Sequence, residues 1–449
     1  MNATEESIER LVKNASLAVG DMYPIIKQDM CVMAECGDSV SPLLRLVPEL
    51  RMNTRFVLVD LESSFRALMN AKSAVEKRLH LINIRADIYE SYKLLYGYGK
   101  SRQHTAWSKI GGELQLHQEA SANNGYEQLK KEYDAITPLL VRIKTSLQDK
   151  DNRNLTYHYD GNLLKVYQNI LEATDEEGMC RRIIPIFDSL LAVLIFCNHV
   201  EFVEESKGYV LPNIDIRDDY KLTVQKLFAK ALGSNMRLQK ITKQFLDNAS
   251  QIDTIARATT GLVRIQEYDK TNCPLIDFPE AGNMVKMYQT HLLIQIMLVN
   301  IASDLNAYLN SGSEPEYAFI MRRLTITRYA VLSQLFGYSD DERENSLWAS
   351  ICKMIPENYE VFIDCSEQIG TELESLIDAL DKKVRTLYTH LINRRRNNVP
   401  AIIAKMEAAN PVMELKKTEA LIRVTTKISK FLKALMDKLA ADAHAKVRY

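Results

Sequence analysis

Apolar residues recur at i, i+3, i+4 and i+7 through most of this chain. Ile82, Ile84, Ile88, Tyr92 and Leu95 trace one stripe, and Leu292, Leu293, Ile296, Leu298, Ile301 and Leu305 trace another. This is the period of a helix that turns one face to a core. No apolar–polar alternation extends beyond a few residues. Gly (16) and Pro (12) are scarce for 449 residues, so long stretches run without a helix breaker. The pattern predicts an all-α protein of about ten to fourteen helices.

The same pattern occurs twice. Tyr89-x5-Leu95-Tyr96-Gly97-Tyr98 matches Tyr329-x5-Leu335-Phe336-Gly337-Tyr338 at an offset of 240. Trp107-x2-Ile110 then matches Trp348-x2-Ile351 at an offset of 241, and the chain has only these two Trp. Each half reads as a long helix (53–71 and 282–309), a second helix ending at Gly-Tyr, and a linker carrying the Trp. Another helix (126–147 and 357–380) and a closing helix pair (161–203 and 398–440) follow. Gly97 and Gly337 suit helix C-caps, where positive φ is required. The stretch 204–219, with Gly208 and Pro212, reads as the linker. The chain thus divides into a first repeat, residues 1–205, and a second, residues 206–449, with a basic C-terminal segment. Each is long enough to bury a core.

Composition narrows the setting. The longest purely apolar stretch near a helix middle, Leu190 to Cys197, is too short to span a bilayer, and no membrane partner is expected. The first residues carry no basic or apolar signal region. Seven Cys without a C-x2-C pair read as reduced thiols, which points to the cytoplasm and to no zinc site. No cofactor motif occurs. Net charge is -1, but residues 381–449 hold sixteen Lys/Arg against six Asp/Glu. That +10 segment is a candidate polyanion-binding surface or a solvated helix face. Segment 149–205 is acidic, with five Lys/Arg against eleven Asp/Glu, a contrast that would help the halves dock. The helix 183–200 is apolar enough to lie buried at their junction, whereas 421–439, spaced with Lys427, Lys430, Lys433 and Lys438, reads as an amphipathic surface helix.

Candidate chemistry sits late in each half. Arg153-Asn154-Leu155-Thr156-Tyr157-His158 and Arg385-Thr386-Leu387-Tyr388-Thr389-His390 both read R-x-L-x-x-H. Among eight His, with Arg at roughly one position in twenty, about 0.4 such spacings are expected by chance, so one is uninformative and two at corresponding places are not. RNA brings its own nucleophile, the 2′-OH. Cleavage needs a base for that proton, an acid for the leaving 5′-oxygen and positive charge on the phosphorane-like transition state. His titrates near neutrality, and the Arg fork holds a phosphate without losing charge. No step requires a metal. On a regular helix Arg and His at this spacing stand about 140° apart, so they share no face. Asp149, Asp151, Asn152 and Asn154 offer a helix start at the first motif. The second, reading on from Leu380, shows no break and suggests one continuous helix.

The run Asn152 to Asp160 resembles the signature of HEPN domains, small helical bundles of prokaryotic toxins, abortive-infection proteins and CRISPR-associated ribonucleases. Their motif is Arg, then preferably Asn, Asp or His, with His four to six positions after the Arg. Arg153, Asn154 and His158 match it. Arg385 and His390 match the spacing, with Thr386 in place of the preferred polar residue. The resemblance implies paired motifs meeting at a dimer interface, metal-free RNA cleavage and 2′,3′-cyclic phosphate ends. For this chain it implies an internally fused pseudo-two-fold dimer in which Arg153, His158, Arg385 and His390 converge as catalytic residues.

Asn154 reads as a residue that orients Arg153, or equally as a helix cap. Arg394, Arg395 and Arg396, about one turn past His390, read as an RNA-phosphate grip or as charge complementing a helix C-terminus. The expected partners are RNA and an antitoxin or other defence-system protein; a homo-oligomer stays open. The alternative is a catalytically inactive helical scaffold that binds a protein partner or RNA.

Overall fold

A computed structural model describes residues 22–37, 39–97, 99–120, 124–145, 176–214, 235–247, 279–378, 382–393 and 396–447. These residues are helical almost throughout. The elements are α1 (Met22–Glu35), α2 (Pro42–Asn70), α3 (Ala74–Leu95), a 3-10 turn (Gly99–His104), α4 (Ala106–Ala120), α5 (Asn124–Thr145), α6 (Glu176–Glu205) and α7 (Asn235–Asp247). Then come α8 (Pro279–Leu309), α9 (Glu314–Leu335), α10 (Asp340–Glu344), α11 (Leu347–Cys352), α12 (Glu360–Asp378) and α13 (Lys382–Thr389). A two-residue antiparallel ladder, β1 (Ile392–Asn393) with β2 (Arg396–Asn397), precedes α14 (Val399–Ala408) and α15 (Pro411–Val447). The fifteen α-helices among the described residues exceed the expected number because α10 and α11 are short pieces of the Trp-bearing linker.

Local chemistry sets the ends. Ser41 and Ser73 accept the Leu44 and Glu76 amides and start α2 and α3. The α3 and α9 hairpin helices stop at Gly97 (φ 85°) and Gly337 (φ 80°), whose amides bond back to the carbonyls of Tyr92 and Leu332. The second glycine is doubly required, because a Cβ there would lie 2.5 Å from the Glu342 carbonyl carbon.

Two long hairpins, α2–α3 and α8–α9, pack on each other and make the centre of the molecule. Their contacts recur at an offset of 240 residues. Glu76 accepts the Lys72 amide at 2.8 Å and the Asn306 side-chain amide at 2.6 Å. Glu316 accepts the Gly312 amide at 2.6 Å and pairs with Arg66 at 2.6 Å. Each glutamate therefore caps its own helix and reaches the other hairpin at the matching place. Ser64 donates to Asp87 and Thr327 donates to Asp304, both at 2.6 Å, which is the same pair of positions with donor and acceptor exchanged. Trp107 and Trp348 are buried on the last long helix of their own halves, against Phe196 of α6 and Phe431 of α15.

Three expectations change. The helix α6 does not lie at the junction: it packs on α2 and α5 of its own half and exposes Ile184, Leu191, Ile195 and Phe202 on one side. The centre is closed by α2, α3, α8 and α9 instead, because those helices are apolar on more than one face. The helix of the second motif does not run on through its histidine: α13 spans Lys382–Thr389, and past His390 a ladder follows in place of another helical turn. Finally, segments 183–205 and 283–309 are long and apolar enough to cross a membrane, a property the strict Leu190–Cys197 run conceals. Of the apolar 18-residue window in the second, 83% is buried inside the fold. α15 is the expected surface helix, with Leu421, Ile428, Leu432 and Leu435 buried and Lys427, Lys430 and Lys433 exposed.

Candidate functional site at the junction of the hairpins

Arg153, Asn154 and His158 lie outside the described residues, as do Arg394 and Arg395. Of the second motif, Arg385 stands in α13 and His390 directly follows its last residue, Thr389. Arg396 stands on β2, its backbone paired with Asn393. His390 is half-buried, and its carbonyl accepts the Asn398 side-chain amide at 2.7 Å. The Asn398 backbone amide bonds to the Leu391 carbonyl at 2.9 Å, closing a compact turn around the histidine.

This turn rests on the first hairpin. Asn397 donates to Glu49 at 3.1 Å and to Asn53 at 3.0 Å, both on α2. Tyr388, two residues before His390, offers its carbonyl to Arg322 Nε and Nη2 at 3.2 and 2.9 Å. The other edge of Arg322 meets both oxygens of Asp60 on α2, with Nη1 at 2.9 and 2.8 Å. One guanidinium of α9 thus ties the motif on one side and the opposite hairpin on the other.

Beneath this clamp lies a sealed polar seam. Arg323 pairs with Asp304 at 3.0 Å, donates to Ser64 at 3.2 Å and donates to His80 Nδ1 at 3.0 Å. Arginine only donates, so His80 Nδ1 is unprotonated, the ring is neutral, and Nε2–H donates to Ser303 at 3.0 Å. Burial, then the Arg323 charge, holds the His80 pKa well below its ordinary value. Burial, then the Asp60 charge, pushes the Asp87 carboxyl up to about 7. Burial also raises Asp304 against the pull of Arg323. Three carboxylates face two guanidinium groups and a neutral imidazole, so the seam favours keeping one carboxyl protonated. His80 is fully enclosed and out of substrate's reach, so its role is structural.

No cluster of His, Cys, Asp or Glu suited to a metal occurs among the described residues. The sequence reading missed Asp60, His80, Asp87, Arg322 and Arg323. The available signal was Arg322-Arg323 among the apolar positions of α9, a costly placement unless partners are buried with it. Comparison with family models, with curated proteins and with solved structures finds no match.

Proposed function

We propose that this chain is a metal-independent endoribonuclease of HEPN type. It is built from two diverged copies, residues 1–205 and 206–449, folded together as an internal pseudo-two-fold dimer. Arg153 and Arg385 hold the scissile phosphate. One of His158 and His390 takes the 2′-OH proton as the 2′-oxygen attacks phosphorus; the other protonates the 5′-oxygen as the P–O5′ bond breaks. The products are a 2′,3′-cyclic phosphate and a 5′-OH. Asn154 orients Arg153, and Arg394, Arg395 and Arg396 grip flanking phosphates. The setting is a cytoplasmic phage-defence or toxin–antitoxin system, with an antitoxin-like partner protein.

The observation that carries this reading is the place of the second motif. Its turn is held by Asp60 (through Arg322), Glu49 and Asn53, all on the opposite hairpin. A fused dimer with paired motifs requires such a position. The reciprocal contacts of Glu76 and Glu316 support the duplication itself.

The test is cleavage of total RNA in EDTA. The expected result is cyclic-phosphate ends with the parent chain and loss of cleavage in His158→Ala and His390→Ala. Intact RNA with the parent would favour the second reading, a silent scaffold. The exposed apolar side of α6, bearing Leu191, Ile195 and Phe202, favours that reading.

A further inference from the structure

We infer that Arg322 and Asp60 are positioning residues for the second Arg–His motif, so that His390 takes its working place only while the two hairpins are docked. The inference rests on the proposed ribonuclease reading for its functional meaning; its structural content stands alone.

The described part of α13 is Lys382–Thr389. Its C-terminal carbonyls need partners, and the last turn is where His390 leaves the helix. The Tyr388 carbonyl receives two N–H groups from one guanidinium. Tyr388 is itself buried, so this carbonyl has lost its water. The guanidinium in turn is fixed by Asp60, from 262 residues earlier in the chain. Arg322 and Asp60 are each under a tenth exposed, so neither has solvent as an easy substitute partner. Separating the hairpins takes away Asp60, the carboxylate that orients the guanidinium, and so loosens the donor pair on the Tyr388 carbonyl. Only arginine spans both partners; a lysine ammonium reaches one. The second tie, Asn397 to Glu49 and Asn53, also crosses to the opposite hairpin. Beside the local bonds from Asn398 to His390 and Leu391, two supports of the His390 turn thus reach the opposite hairpin.

Arg322→Lys isolates the clamp. It keeps a charge beside Asp60 and gives up the fork that holds the carbonyl. Asp304→Asn is the control: it disturbs the same seam at Arg323 and Thr327, away from Tyr388. Two readouts separate the cases. Amide exchange over 382–391 is expected to quicken at least about tenfold in Arg322→Lys and to stay parental in Asp304→Asn. In cleavage assays, kcat of Arg322→Lys is expected to fall about a hundredfold while KM stays within about twofold, the signature of a misplaced catalytic group. Parental exchange in Arg322→Lys overturns the inference, whether or not the parent cuts RNA. Equal loosening of 382–391 in both variants also overturns it, because a general seam effect then explains the loss. A parent that leaves RNA intact overturns the ribonuclease reading instead, and the exchange arm still decides the clamp.

Discussion

Arg322 of α9 and Asp60 of α2 form an ion pair of 2.8–2.9 Å across the junction of the two hairpins, both almost fully buried. Neither charge has water to fall back on. Removing one alone, as in Asp60→Ala, strands a buried guanidinium and is expected to cost about 3–5 kcal/mol in urea unfolding. Replacing both with apolar residues of similar volume is expected to cost less than either single change. A double variant weaker than both singles would show that the pair stabilises beyond its own compensation.

The Asp87 carboxyl makes stability depend on pH. Its folded pKa of about 7 lies above the ordinary 3.8, so the folded chain keeps a proton that the unfolded chain releases. That contribution is fully present below about pH 3.8 and is lost as pH rises through about 7. His80 runs the other way: its lowered pKa gives a contribution present above 6.5 and lost as pH falls. Asp87→Asn removes only the first. Its unfolding midpoint is expected to fall less than the parent's between about pH 5 and about pH 8, leaving the variant the more stable at the upper end. Parallel parent and variant curves would contradict this.

Gly337 and Gly208 share a positive φ but differ in surroundings. At Gly208 (φ 86°) a Cβ meets nothing within 4 Å, so Gly208→Ala is expected to cost only the left-handed backbone penalty, about 1 kcal/mol. At Gly337 the same change drives a methyl into the Glu342–Arg343 backbone as well. Thermal unfolding is expected to show a clearly larger drop for Gly337→Ala.

On the ribonuclease reading, His158→Ala and His390→Ala each remove a proton-transfer group and are expected to slow RNA cleavage about 10²–10⁴-fold, with EDTA without effect on the parent. Undiminished cleavage in His158→Ala would remove that residue from the site.

Much of the frame was legible along the chain. The Gly97 and Gly337 stops are local, because positive φ and the absent Cβ are properties of the residue itself. The matching positions of Trp107 and Trp348 are legible too, but the helices they pack against, α6 and α15, are not. The seam was not legible. Asp60 and Arg322, or His80 and Ser303, stand hundreds of positions apart, and each alone reads as an interruption of an apolar helix.

The sequence alone determined the all-α class, the paired hairpins, their capped ends and the spacing of the two Arg–His strings, because helix periodicity and capping act within a few residues. Only the tertiary structure decided which helices meet at the centre, that α6 turns an apolar side outward, and that the His390 turn stands on the opposite hairpin. Those outcomes depend on where desolvated charges find partners, and the partners are supplied by chain segments that only folding brings together.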